Sequence, residues 1–208
     1  MRFRLIVEGF NIISYIISER GFDLNKEIVW HGRGGQGVVT ANEILAETAI
    51  SEGKYVKAFP EFGPERMGAP IKAFTRISNL PVKIHSQVYH PDIVVVMDAT
   101  LIGKADILEG LKKDGFVLAN FPGTPKELQK LLNTEMEVHT VNATKISLEE
   151  IGRPVANTAM LGALTKISPL VSYEALQDQI STKFQGKLSE KVIVKNLSAL
   201  ERGHSEVL

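Results

Sequence analysis

The sequence predicts an α/β fold: three layers, a mostly parallel but mixed sheet with helices on both faces, a Rossmann-like first βαβ unit and a helical C-terminal part. Three observations carry this. The apolar Ile28-Val29-Trp30 runs into His31-Gly32-Arg33-Gly34-Gly35-Gln36-Gly37 and then into helical rhythm from Val38, which reads as strand, glycine loop, helix. Ile93-Val94-Val95-Val96-Met97 is continuously apolar, as strands buried on both faces are. From Ala143 onward the pattern turns helical.

A length of 208 residues fits one such domain over 27–208, preceded by an extension over 1–26. In the extension, Phe10 to Ile17 is apolar but broken by Asn11 and Ser14 and closed off by Glu8, Glu19 and Arg20. It is too short to span a bilayer, and no small-residue cleavage site follows it, so neither a membrane anchor nor a signal peptide is expected. A loosely packed helix, a start assigned too far upstream and a docking helix for another subunit all remain open.

The first helix follows from Val38, Ala41, Ile44, Leu45, Thr48 and Ala49, which share one face. Tyr55 to Phe59 reads as the second strand. Ile71 to Ile77 and Val82 to His85 read as two more, divided at Asn79-Leu80-Pro81, and together predict a hairpin. The strand at Ile93 ends in Asp98, which is placed either to face a ligand or to cap the next helix. Strands at Phe116 to Ala119 and Met136 to Val141 end at Asn120 and Asn142. Between them Thr124-Pro125-Lys126-Glu127 has the form of a helix start, with Pro first and an acid third. Asn157 to Leu164 is small and apolar, suited to close helix packing. Tyr173 to Phe184 and Leu188 to Leu200 complete the helices, with Gly186 between them.

Composition removes several chemistries. Lys+Arg and Asp+Glu are 24 each, so no basic field favours nucleic acid or an anionic membrane. The absence of cysteine excludes disulfides, a cysteine nucleophile and any cysteine-held zinc or iron–sulfur cluster on this chain, and fits a cytoplasmic protein. The histidines are scattered without ligand-like spacing, no G-x-S-x-G elbow occurs, and Val38 and Val39 stand where a P-loop would carry Lys and Ser or Thr. No catalytic residue and no metal site emerges. His31 abuts the glycine loop and is placed to donate to a bound anion.

The chemistry of the loop is anion binding. Glycines let the chain turn tightly and aim its N–H groups at a phosphate, while the next helix offers unpaired amides and the positive end of its dipole. Gly32, Gly34 and Gly37 keep the G-x-G-x-x-G spacing, and Gly35 with Arg33 and Gln36 completes the candidate cofactor-binding set. A tight turn that needs glycine only for packing is the competing reading. Lys57 stands near the end of the second strand, where a nicotinamide site would want an acid. That counts against NAD and leaves NADP or coenzyme A, or else an ordinary edge lysine.

Pro60 to Pro70 holds three prolines and two glycines when both ends are counted, and predicts an ordered irregular loop. Glu61, Phe62, Glu65, Arg66 and Met67 are its candidates for a subunit contact or an active-site wall.

The two motifs, His31 to Gly37 followed by Ala58-Phe59-Pro60-Glu61-Phe62-Gly63-Pro64-Glu65-Arg66-Met67-Gly68-Ala69-Pro70, resemble the gamma subunit of pyruvate:ferredoxin oxidoreductase (pyruvate synthase), within the 2-oxoacid:ferredoxin oxidoreductases. Gly152 to Leu164 is a further point of likeness, and the resemblance begins at about Glu27. It implies a subunit inactive alone, in a complex with alpha, beta and delta subunits that oxidises a 2-oxoacid with coenzyme A (CoA) and reduces ferredoxin. Thiamine diphosphate, magnesium and iron–sulfur clusters would then sit on partner subunits, in keeping with the lack of cysteine and of a G-D-G…N-N thiamine motif here. CoA phosphates would lie on the glycine loop. Pyruvate is the expected substrate, with a branched-chain 2-oxoacid or 2-oxoglutarate as alternatives. A free-standing NADP-binding regulatory protein is the competing class.

Overall fold

In the computed structural model, residues 25–61, 68–103 and 106–208 are described. The readings made for 1–24, and those for Phe62, Glu65, Arg66 and Met67, lie outside them. The elements run β1 (Asn25–Arg33), α1 (Val38–Ser51), β2 (Tyr55–Glu61), β3 (Pro70–Ser78), β4 (Ile93–Val96), a 3-10 turn (Ala99–Leu101), β5 (Phe116–Asn120), α2 (Pro125–Leu132), β6 (Glu137–Val141), α3 (Ala143–Glu150), α4 (Asn157–Ile167), α5 (Tyr173–Phe184) and α6 (Glu190–Glu206).

The strands form one six-stranded sheet in the order β2-β3-β1-β4-β5-β6. β1, β4, β5 and β6 are parallel, whereas β3 runs antiparallel to both β1 and β2. The first βαβ unit therefore returns parallel to its starting strand but one place removed, with β3 inserted between. Pro60 is accommodated because β2 is the sheet edge, where a missing N–H breaks no ladder.

Side-chain alternation along β1 sorts the core. Ile28 and Trp30 join Val95 and Leu118 under Ile44 and Leu45 of α1, Ile146 of α3, Met160 and Leu164 of α4, Ile180 of α5 and Leu200 of α6. On the opposite face Val94, Val96, Val117, Ala119 and Val138 pack against Leu128 of α2 and Ile107. The helices thus cover both faces unevenly, with α2 the one helix on the second face among the described residues. Trp30 Nε1 donates to Thr75 Oγ1 at 2.9 Å and that hydroxyl donates to Asn42 Oδ1, so the buried indole and α1 are satisfied without water.

One expected element is absent. Val82 to His85 is not a strand, and the hairpin is β2–β3 instead. Both edges of β3 are already taken by β1 and β2, so the chain after Ser78 cannot form the expected hairpin with it. It crosses the sheet face, where Val88 packs on Val29 and Phe74. Buried Arg76 holds it there, donating to the carbonyls of Ser86 (2.6 Å) and Gln87 (2.9 Å) while its Nε pairs with Glu27 Oε1 at 2.5 Å. The helix start at Thr124 is a full capping box with Pro125 inside it. The last helix runs six residues beyond Leu200, because Gly203 continues the close packing against α4.

Candidate anion-binding site at the glycine loop

The sheet order places the loop at a switch point. From β1 the chain goes one way to β3 and β2, while β4, β5 and β6 build outward the other way, leaving a crevice at the carboxyl ends of adjacent β1 and β4. Arg33 to Gly37 fill one lip and Asp98 to Thr100 the other.

Its glycines serve different needs. Gly32 lies so close under α1 that a Cβ would overlap Val38 Cγ2 and stand 3.1 Å from Met97 Cβ. Gly35 faces open space but has φ +91°, and Gly37, with φ +79°, is the left-handed N-cap of α1. The loop spacing is thus a requirement of backbone geometry as well as packing.

The polar side chains of the loop are committed to bracing it. Gln36 Oε1 accepts from the Arg33 amide (2.8 Å), and its Nε2 donates to Asp98 Oδ2 (2.6 Å). Arg33 lies 3.2 Å from the same carboxylate and donates to Thr100 Oγ1 and to the carbonyl of Gly68. Gly34 N donates to Ala69 O at 3.0 Å, tying the loop to the start of β3. Burial raises the Asp98 pKa, but hydrogen bonds from Thr100 and Gln36 and the charge of Arg33 outweigh it and hold the carboxyl below its ordinary range. Asp98 both caps the 3-10 turn through Thr100 N (2.8 Å) and faces the loop.

What remains open is backbone. The amides of Gly35, Val38, Val39 and Thr40 meet no acceptor among the described residues, and the first intrahelical bond is Ala41 N to Gly37 O. No side chain caps α1, and its first turn carries no acid. α4 is likewise uncapped, starting from Ala156, and its Asn157 packs on Gly37. Two helix N-termini with unanswered donors therefore meet at one point, where their dipoles favour an anion.

The structure does not bring every candidate to this cradle. Lys57 pairs across β3 with Arg76, which is level with Glu27, so it lies five positions before Gly32 along the sheet and two strands away. Its Nζ is 2.8 Å from His85 Nε2. Glu61 ends β2, accepts from Gln87 Nε2 at 3.1 Å, and lines a cavity of about 110 Å³ with His31, Lys72 and Phe74 on the face away from α1. His31 is only 4% exposed and points into that cavity rather than toward the cradle. Burial, aided by Lys72, lowers its pKa to about 4, so it is neutral at pH 7. Strand alternation explains this: residues beside Trp30 must face away from the α1 layer. Sequence reasoning missed Asn157 as a neighbour of the loop, since 120 positions separate it from Gly37 and the only local sign was a helix opening on Ala rather than a capping residue.

Fold and site together define an open-sheet α/β domain with an anion cradle at its switch point and no metal cluster among the described residues. The chain belongs to the pyruvate ferredoxin/flavodoxin oxidoreductase family, whose model matches residues 27–206, and it is a gamma-type subunit of that multi-subunit enzyme. It is 50% identical over 166 residues to the pyruvate/ketoisovalerate oxidoreductases common subunit gamma of Pyrococcus furiosus, covering 79% of this chain and 90% of the relative. It is 48% identical over 181 residues to the pyruvate synthase subunit PorC of Methanothermobacter thermautotrophicus, covering 87% and 95%. The crystal structure of the Thermotoga maritima pyruvate oxidoreductase subunit PORC superimposes with a TM-score of 0.79 at 43% identity, over 88% of this chain and 97% of that one.

Proposed function

We propose that, within the assembled oxidoreductase, the glycine cradle holds a phosphate of CoA while alpha, beta and delta partner subunits carry thiamine diphosphate, magnesium and the iron–sulfur clusters. One observation carries this: the uncapped N-terminus of α1, with its amides open, lies at the crevice where open α/β sheets bind ligands. The group fits, since Gly35 faces open space beside those amides. Gly32, Gly34, Gly35 and Gly37 shape the cradle; Arg33 and Gln36 hold that shape through Asp98 rather than reaching for the ligand. CoA, once bound, supplies the thiol that accepts the acyl group.

This chain has no cysteine and so holds no cysteine-ligated cluster. Pyruvate is the substrate we assign to the complex. The Pyrococcus relative is named as common to pyruvate and ketoisovalerate enzymes, which supports placing the choice of 2-oxoacid in other subunits. The free-standing NADP reading loses its support, because Lys57 is remote from the loop.

The test is Thr40→Glu. At the third position of α1 a glutamate reaches back to the helix's own amides and supplies the negative charge that the ligand would bring. In the assembled complex the KM for CoA should rise about tenfold, whereas turnover of pantetheine, the thiol fragment without phosphates, should be unchanged. An unaltered KM for CoA would remove the cradle from the reaction.

A further inference from the structure

We infer that Asn157 is a phosphate-binding residue of this cradle, donating its carboxamide N–H to the anion held by the α1 amides; this rests on the reading of the cradle given above. The residue opens α4 and is only 5% exposed. The orientation of its amide is fixed from behind. Oδ1 accepts the backbone N–H of Thr158 at 2.9 Å and the Thr158 hydroxyl lies 3.3 Å from it, while that hydroxyl also donates to Asn196 Oδ1 at 3.0 Å. Asn196 is anchored in turn through Nδ2 to Val192 O at 2.8 Å. Since Thr158 N can only donate, the oxygen of Asn157 must face it. Nδ2 is then the free end, and it meets no acceptor among the described residues.

That free end lies at the N-cap of α1. A Cβ on Gly37 would stand 2.7 Å from Asn157 Nδ2, so glycine at this position is what leaves the amide uncovered. The side chain is buried as a whole, yet Nδ2 keeps access to the surface, so it is open to an acceptor that arrives with a ligand. The neighbouring open groups, the amides of α1 and the uncapped start of α4, are donors too. The Asp98 carboxylate on the other lip is engaged by Gln36, Thr100 and Arg33, so the groups left open here are donors, which select a group of acceptors alone. A fully ionised phosphate is such a group. The pair Gly37 and Asn157 thus joins two helix N-termini into one phosphate clamp, one contributing backbone and the other a side chain.

Asn157→Asp tests this in the assembled oxidoreductase. The substitution preserves shape and the acceptor for Thr158, but replaces the donor facing the cradle by a charged oxygen. The KM for CoA is expected to rise about 10- to 100-fold with kcat within about twofold, the loss of one hydrogen bond to a charged group. Kinetics with pantetheine should not change. Asn157→Ser, which keeps a small capping oxygen, should raise the KM for CoA less, and calorimetric titration of CoA should give the same order for all three proteins. A KM for CoA within twofold of the parent in Asn157→Asp overturns the assignment, as does an equal defect with pantetheine. If Thr40→Glu weakens CoA and Asn157→Asp does not, only the role of Asn157 falls; if neither does, the cradle falls with it.

Discussion

Gly162 of α4 and Gly203 of α6 are reciprocal contacts: a Cβ on Gly162 would overlap the carbonyl oxygen of Leu200, and one on Gly203 would overlap that of Ala159. The two helices meet backbone to backbone, and neither neighbour has a flexible end that can yield. Replacing Gly162 by Ala should therefore destabilise the fold by about 2 kcal/mol or more through overpacking, despite the gain in helix propensity. Denaturant unfolding of the variant would measure it. The same contact sets where α4 begins, so loss of CoA affinity should accompany loss of stability.

Arg76 should matter out of proportion to its surface. Removing its guanidinium in Arg76→Met strands Glu27 and two carbonyls of the segment crossing the sheet. A cost of about 3 kcal/mol is expected, as for one broken half of a buried ion pair. Limited proteolysis should then cut between Leu80 and Tyr89, both of which are exposed.

His31 imposes a pH dependence. Its pKa falls from an ordinary 6.5 to about 4 in the folded state because it is buried. Between those values the unfolded chain binds the proton and the folded chain does not, so stability rises with pH. Acidification from 6.5 to 4 should remove roughly 3 kcal/mol. In His31→Asn the slope of stability against pH in this window should flatten; an unchanged slope would assign it to other groups.

Asp98→Asn should loosen the loop without unfolding the domain. The variant keeps an acceptor for Thr100 N but loses the charge that faces Arg33 and turns an amide donor toward Gln36 Nε2, at a cost of about 1 kcal/mol or more. Because the folded pKa of Asp98 is depressed, its contribution is complete above the ordinary carboxylate value and fades only as pH falls through the lower one. Parent and variant should therefore differ at neutral pH and converge in strong acid. Faster hydrogen exchange at the Arg33 and Gly34 amides, which the braced loop protects, is the local readout.

Those residues also mark what could be read from sequence. β1, α1, β4, β5 and the capped start of α2 were legible because their signals are local: apolar runs, a glycine loop and a capping box over four residues. Val82 to His85 misled because strand propensity says nothing about whether a partner edge is free. Lys57 misled for a related reason, since the insertion of β3 between β1 and β2 moves it two strands from the loop. Asn157 was silent because its contact with Gly37 is made only in three dimensions. Arg33 and Gln36 were named as ligand contacts, whereas Asp98 and Thr100, far along the chain, decide that they brace the loop.

The β2–β3 hairpin has a bearing on how such a chain can vary. The glycine loop is stitched to Ala69 just before β3 begins, and β3 is in register with β1 from Pro70 opposite Arg33 to Ser78 opposite Asn25. Deleting a single residue within β3 would shift every later pair by one and turn Arg76 to the wrong face of the sheet. Insertions and deletions should therefore be excluded from β3, because pairing with β1 along its whole length fixes how many residues that strand can hold.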